Sequence, residues 1–146
     1  MPSKTTAWEN AFLLLEFNNV AAANIGNSGG LQPSSAAGVF YVSLHTADPG
    51  VGGSQNTSEA AYTGYARVAV ARTSAGWTVT GGSVSPAAPI NFPVGTGGGE
   101  TVTYFGIGTA ASGAGNLLRR GTVTPNITTG NTITPQLTTA SAVTES

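Results

Sequence analysis

The chain has 146 residues, enough for one domain with a real core, and 40% of them are apolar, which argues against wholesale disorder. Only 8% are charged, far below about a quarter in a typical soluble domain, and the net charge is −1; Lys4, Arg67, Arg72, Arg119 and Arg120 never form a run longer than two, so a nucleic-acid partner is not expected. There is no cysteine, which removes disulfides and thiolate metal sites.

The surface is therefore drawn from Gly, Thr, Ser and Ala. Hydroxyls and bare backbone cost less to desolvate than carboxylates or ammoniums, so a partner protein can cover such a surface easily. The longest apolar run, Ala11 to Leu15, is too short to span a bilayer, and no membrane association is expected. A basic n-region and long h-region are missing, and Glu9 and Glu16 bracket the apolar stretch, so synthesis in a reducing cytoplasm is expected.

In chain order, Thr5 to Ala23 is the helix candidate, with the helix itself expected over 5–18. Thr5 or Thr6 can cap it, and Trp8, Phe12, Leu15 and Val20 or Asn19 give an apolar stripe. So short a stripe must dock, either on the chain's own sheet or on a neighbouring subunit. Asn24 to Ala37 reads as a loop. Val39 to His45 alternates Phe40, Val42 and Leu44 with Tyr41, Ser43 and His45, which predicts a strand with one apolar face.

Asp48-Pro49-Gly50 predicts a turn, continued by a mobile polar loop over Gly52 to Glu59. Tyr65 to Arg72 and Gly76 to Thr80 follow as strands, the second ending at Gly81-Gly82. Ile90 and Phe92, pinned between Pro89 and Pro93, suit an edge strand. Gly95 to Gly99 reads as a mobile hairpin tip. Thr101 to Ile107 is the strongest strand, Ala111 to Gly115 a turn, Asn116 to Arg120 a strand and Thr122 to Pro125 its continuation. Ile133 to Leu137 and Ala142 to Thr144 are weak final strands, ahead of a flexible tail over 140–146. Short strands between Gly/Pro turns predict a single mainly β domain over 1–146, an antiparallel sandwich or barrel (jelly-roll-like), with the helix packed outside it.

No residue set points to chemistry, and no catalytic, cofactor or metal residue is assigned. His45 and Asp48 are the nearest approach to a catalytic pair, but Asp beside Pro49 suits a turn that bonds its own backbone. Six acids are scattered without ligand spacing. Gly106 to Gly115 looks like a phosphate loop but lacks Gly-Lys-Ser/Thr, a following helix and a later ribose-binding acid. Asn56-Thr57-Ser58 and Asn126-Ile127-Thr128 match a glycosylation pattern that is frequent by chance. Tyr62, Tyr65, Trp77, Phe92, Tyr104 and Phe105 could stack on sugars, but their aliphatic neighbours favour core packing. Arg119 and Arg120 must point to opposite faces of a strand, one buried or at an interface and one solvated.

At Val39 to Gly53 the chain reads VFYVSLHTADPGVGG. With AWENAFLLLEF before it, then TSEAAYTGYARVAV, INFP, TVTYFGIGTAASGAGNLLRRG and a Thr-rich tail, it resembles a family of small tailed-phage virion proteins. These are described as head-decoration (cement) or tail-fibre-like proteins, and the similarity runs from about Thr6 to Leu137. The resemblance implies a non-enzymatic structural protein of the particle and supplies no catalytic residue. A decoration role is expected first: a subunit on the phage head surface that binds the major capsid protein and neighbouring copies of itself, with arms lying in capsid grooves. A tail-fibre or tail-tip subunit is the alternative. A glycan-binding module and a depolymerase are further classes, the last needing paired carboxylates that six scattered acids do not suggest.

Overall fold

The computed structural model describes residues 3–145. It is mainly β and antiparallel throughout, with one N-terminal helix, as the strand periodicity predicts. The helix, α1, spans Thr6–Asn18. Thr5 caps its start, its hydroxyl accepting from the Trp8 N–H at 3.3 Å. Asn19, left-handed at φ 56°, ends it, and the Val20 N–H closes back on the Leu14 carbonyl at 3.1 Å.

The strands are β1 (Val39–His45), β2 (Val68–Ala71), β3 (Trp77–Thr80), β4 (Ser83–Pro86), β5 (Ile90–Asn91), β6 (Thr101–Gly108), β7 (Leu117–Thr128), β8 (Gln136–Leu137) and β9 (Val143–Thr144). They form a four-stranded sheet in the order β2-β1-β6-β7, a three-stranded sheet β3-β4-β9 and the pair β5-β8. In the large sheet Val42 stands opposite Val68 and Ile107, and Leu44 opposite Phe105. Residues directly opposed share a face, so Phe40, Val42, Leu44, Phe105 and Ile107 line one side. All five are buried in one cluster with Trp77, Val84, Ile90 and Leu137 from the two smaller sheets.

Several expectations need correction. The helix packs on the body, but through a face other than the expected one. Leu13 and Phe17 are 0% exposed, and the Phe17 ring meets Phe40 at 5.2 Å and Trp77 at 5.0 Å, both edge-on. The buried face thus runs through Leu13 and Phe17, not through Trp8, Phe12 and Leu15, which are half-buried, or Val20, which is exposed. Ser83–Pro86 forms a strand that its own residues do not announce. Gly81 and Gly82, at φ 58° and 76°, make the tight turn that returns β3 onto it.

Gly95 to Gly99 is no hairpin tip. Gly95 is buried between the Ile133 carbonyl and the Thr132 N–H, and Gly97 bridges Thr63. In the segment expected as a flexible tail, Val143–Thr144 pair with β4 and Glu145 is buried, because β4 would otherwise leave an edge of backbone donors and acceptors unpaired. Ser146, the end of that segment, lies outside the described residues.

Candidate functional site

Among the described residues, two polar clusters and a groove system along β7 stand out as candidate sites. The first cluster lies on the side of the large sheet away from the core. Strand alternation sends Ser43 and His45 there, opposite Gly106 and Tyr104. Segment Gly52–Glu59 packs over them. Gln55 is fully buried, its side-chain oxygen accepting from the Ala110 N–H at 2.8 Å and its nitrogen donating to the Tyr41 carbonyl at 3.3 Å. The segment expected to be a mobile loop is therefore a plug. Its polar atoms take up backbone groups of two neighbouring segments, which water would otherwise have to satisfy.

Beneath the plug, His45 Nδ1 meets the Thr57 carbonyl at 2.8 Å and Nε2 meets Ser43 Oγ at 2.8 Å. The carbonyl can only accept, so Nδ1 carries the proton and the Ser43 hydroxyl donates to Nε2. Burial pushes the His45 pKa down; the Thr57 bond and the Glu59 charge oppose this, and the Arg67 charge adds to it. A serine donating to a neutral histidine is the hydrogen bond of a nucleophile and its base. Here the orienting group is a backbone carbonyl rather than a carboxylate, and both side chains are fully buried. Asp48 does not join them. It accepts from the Gly50 N–H at 2.8 Å, as a turn aspartate does, and pairs with Arg120 at 3.2 Å.

Beside the plug, Glu59 takes Arg67 side-on, with Nε to Oε1 at 2.7 Å and Nη2 to Oε2 at 2.8 Å. Tyr65 donates to the same carboxylate at 2.8 Å and accepts from the Leu44 N–H. Burial, with the Glu59 charge, pushes the Tyr65 phenol far above its ordinary range. Arg67 also donates to the Ala110 and Gly113 carbonyls, which pins the glycine-rich turn. Gly106 and Gly108 lie within β6, while Gly113 and Gly115 are left-handed turn residues at φ 74° and 52°. The stretch is a strand and its turn, as its residues suggest.

The second cluster joins the two ends of the chain. Arg119 stands opposite Ile107 and so points to the core side, whereas Arg120 stands opposite Gly106 on the other side, next to Asp48. Arg119 bonds Glu16 of α1 at 2.6 Å and Glu145 behind β9, and lies over the Phe12 ring at 5.8 Å. Glu145 also meets Lys4 at 2.6 Å. Burial works to raise the Glu145 carboxyl, but hydrogen bonds and charge from Lys4 and Arg119 outweigh it and hold it below the usual range.

Arg72 serves α1 in another way. It donates to the Leu15 and Glu16 carbonyls at 2.9 and 2.6 Å, and to Asn19, Ser34 and Ala37 beyond them. A cation thus sits on the negative end of the helix and closes the loop that follows. That loop is paired as well, Ala22 with Leu31 and Asn19 with Ser34. The basic side chains are accordingly engaged with oxygens of the chain itself. Among the described residues, no group of three or more His, Asp or Glu could hold a metal ion, and no helix is long and apolar enough to cross a membrane.

Tyr62, Trp77, Phe92 and Phe105 are buried in the core and Tyr65 and Tyr104 half-buried, so they present no row of open rings. What the surface does offer is a set of shallow grooves along β7, of about 240, 160 and 200 Å³. They are lined by Leu118, Thr122, Thr124 and the segment Thr138–Ala142, with Arg119 and Arg120 at one end. Val51, 98% exposed, stands beside Leu118 at that end. Sequence patterning does not reveal these grooves, because strand periodicity does not say that Gly50–Gly53 and Thr138–Ala142 come to flank β7.

The body is thus mainly β, its basic side chains are paired with oxygens of the chain itself, and its grooves along β7 are lined mainly by neutral residues. Residues 5–143 match the family model described as Podophage GP4 fiber I protein gp80, and the chain belongs to that family. A comparison with curated proteins finds no match.

Proposed function

We propose that the chain is a non-enzymatic subunit of the phage tail-fibre apparatus, acting through contacts with other virion proteins and with copies of itself. The observation that carries this reading is the match of a fibre-protein family over nearly the whole chain. Three features support it. The Ser43–His45 pair lies fully buried beneath the plug, the cations are engaged internally, and the grooves along β7 are lined mainly by neutral residues.

The capsid-decoration reading draws its physical argument from a compact β body, low charge and extended mobile arms, the last at Asn24 to Ala37, Gly52 to Glu59 and Ala140 to Ser146. In the structure the first is closed by Arg72 and the Asn19–Ser34 bonds, the second is a packed plug, and the third carries β9. The part of that argument that rests on free arms is weakened, and the fibre-family match favours the fibre reading. Gold-labelled antibody on intact particles, or a virion reconstruction, tests it. Label on the tail is the expected result. Label spread over the head surface would replace this reading with the decoration role.

A further inference from the structure

We propose that residues 138–145 form an exchangeable arm, docked on the chain's own β4 in the isolated molecule and on β4 of a second copy in the assembled one. Beyond β8 the chain turns at Thr138–Ser141, where the Ser141 N–H bonds the Thr138 carbonyl at 3.1 Å and Thr138, Thr139 and Ala140 are exposed. It then lays β9 on β4 through two residue pairs, Ser83 with Thr144 and Val84 with Val143. The Glu145 N–H adds a bond to the Gly82 carbonyl at 2.8 Å.

Contact beneath the arm is loose. Val143 is only half-buried, and grooves of about 160 and 200 Å³ run between Thr138, Ser141 and β7. So short a ladder has little stability of its own. The one strong fastening is the Glu145 carboxylate, 8% exposed, held by Lys4 and by an Arg119 that Glu16 also grips. Lys4, Arg119, Glu16 and β4 all belong to the body rather than to the arm. An arm reaching over from a neighbour would find the same partners in the same places. Exchange therefore costs little beyond straightening an exposed hinge. Within one chain the β4 edge is filled by this segment, which fixes the register that a second copy's arm would adopt there.

The inference rests on the reading that copies of the chain assemble together, but its test is independent of where in the particle they sit. The chain has no cysteine, so introduced thiols report cleanly. Ser83→Cys and Thr144→Cys are made separately, mixed at high concentration and oxidised, and the mixed disulfide is identified by mass spectrometry. The double variant, oxidised when dilute, shows that the pair can close within one chain. Exchange predicts a covalent dimer joined through positions 83 and 144. Adding Glu145→Gln to both partners should speed its formation roughly tenfold, the factor expected for loss of about 1.4 kcal/mol of fastening. Internal closure without any mixed dimer overturns the proposal. A rate indifferent to Glu145→Gln overturns the fastening, and failure of the double variant to close overturns the docking itself.

Discussion

At the residue scale, the polar interior is made of groups that need one another. Arg67 has a side chain 2% exposed and grips a Glu59 that also receives Tyr65. Truncating it would leave a carboxylate and two carbonyls facing a void. We expect Arg67→Ala to cost about 3–5 kcal/mol in a urea unfolding experiment. Gly108 has no room for a side chain, since a Cβ there would overlap the Gln55 amide, so Gly108→Ala should lower stability by about 1–3 kcal/mol and loosen the plug.

His45 adds a pH dependence whose sign is fixed by its surroundings. Burial holds its folded pKa below 6.5, so as pH falls the unfolded chain takes the proton first. Stability should therefore decline as pH drops below about 6.5, and His45→Gln should flatten that part of the curve. Glu145 is shifted in the same direction for a different reason: Lys4 and Arg119 hold its carboxyl below 4.5, so its contribution is present above that value and is lost as pH falls through the folded one. Thermal melts from about pH 7.5 to 3 separate the two windows. Some of this scale is legible in the sequence. That Arg119 and Arg120 face apart follows from strand alternation alone, and Asp48 as a turn residue follows from Pro49 and Gly50. That Arg67 meets Glu59 across an intervening loop, or that Arg119 meets Glu16 and Glu145 from distant segments, does not, because no periodic pattern joins these residues.

At the scale of elements, α1 is tied to the body by one face and two cations, Arg72 and Arg119. Phe17→Ala should cost about 3–5 kcal/mol, since it empties a site between Phe40 and Trp77, whereas Val51→Ser on the open surface should stay within about 0.5 kcal/mol of the parent. Arg72→Ala removes the donor that joins the helix end to Asn19, Ser34 and Ala37. Hydrogen exchange should then quicken over residues 14–37 and stay unchanged in β6; equal protection in both proteins would show that the loop holds itself. The helix itself is legible from Thr5 and the run that follows. Its buried face is not, because Phe12, Leu13, Leu14, Leu15 and Phe17 put apolar groups on every side and only the packed sheets select among them. β4 escapes for a related reason. Ser-Val-Ser-Pro carries little strand signal, and pairing with β3 across Gly81-Gly82 supplies what its side chains do not.

At the scale of the whole molecule, the low charge bears on assembly. A surface that binds through apolar contact, hydroxyls and strand edges should hold its partner when salt is raised. Screening acts within a Debye length of about 8 Å at physiological ionic strength and leaves apolar burial untouched. Association with the purified fibre apparatus is therefore expected to be similar at low salt and at roughly 0.5 M salt; a steep loss would reveal an ionic interface. Two-residue alternation and Gly/Pro turns are local, so the fold class, the N-terminal helix and most strand positions are legible from the residues alone. So is the scarcity of charge. Which helix face is buried, that Gly52–Glu59 is a plug rather than a free loop, and that Val143–Glu145 close onto β4, Lys4 and Arg119 emerge only once the chain is folded. Each of those outcomes depends on a partner distant in sequence. A polar segment looks the same whether water or a buried histidine satisfies it, until the chain has folded around it.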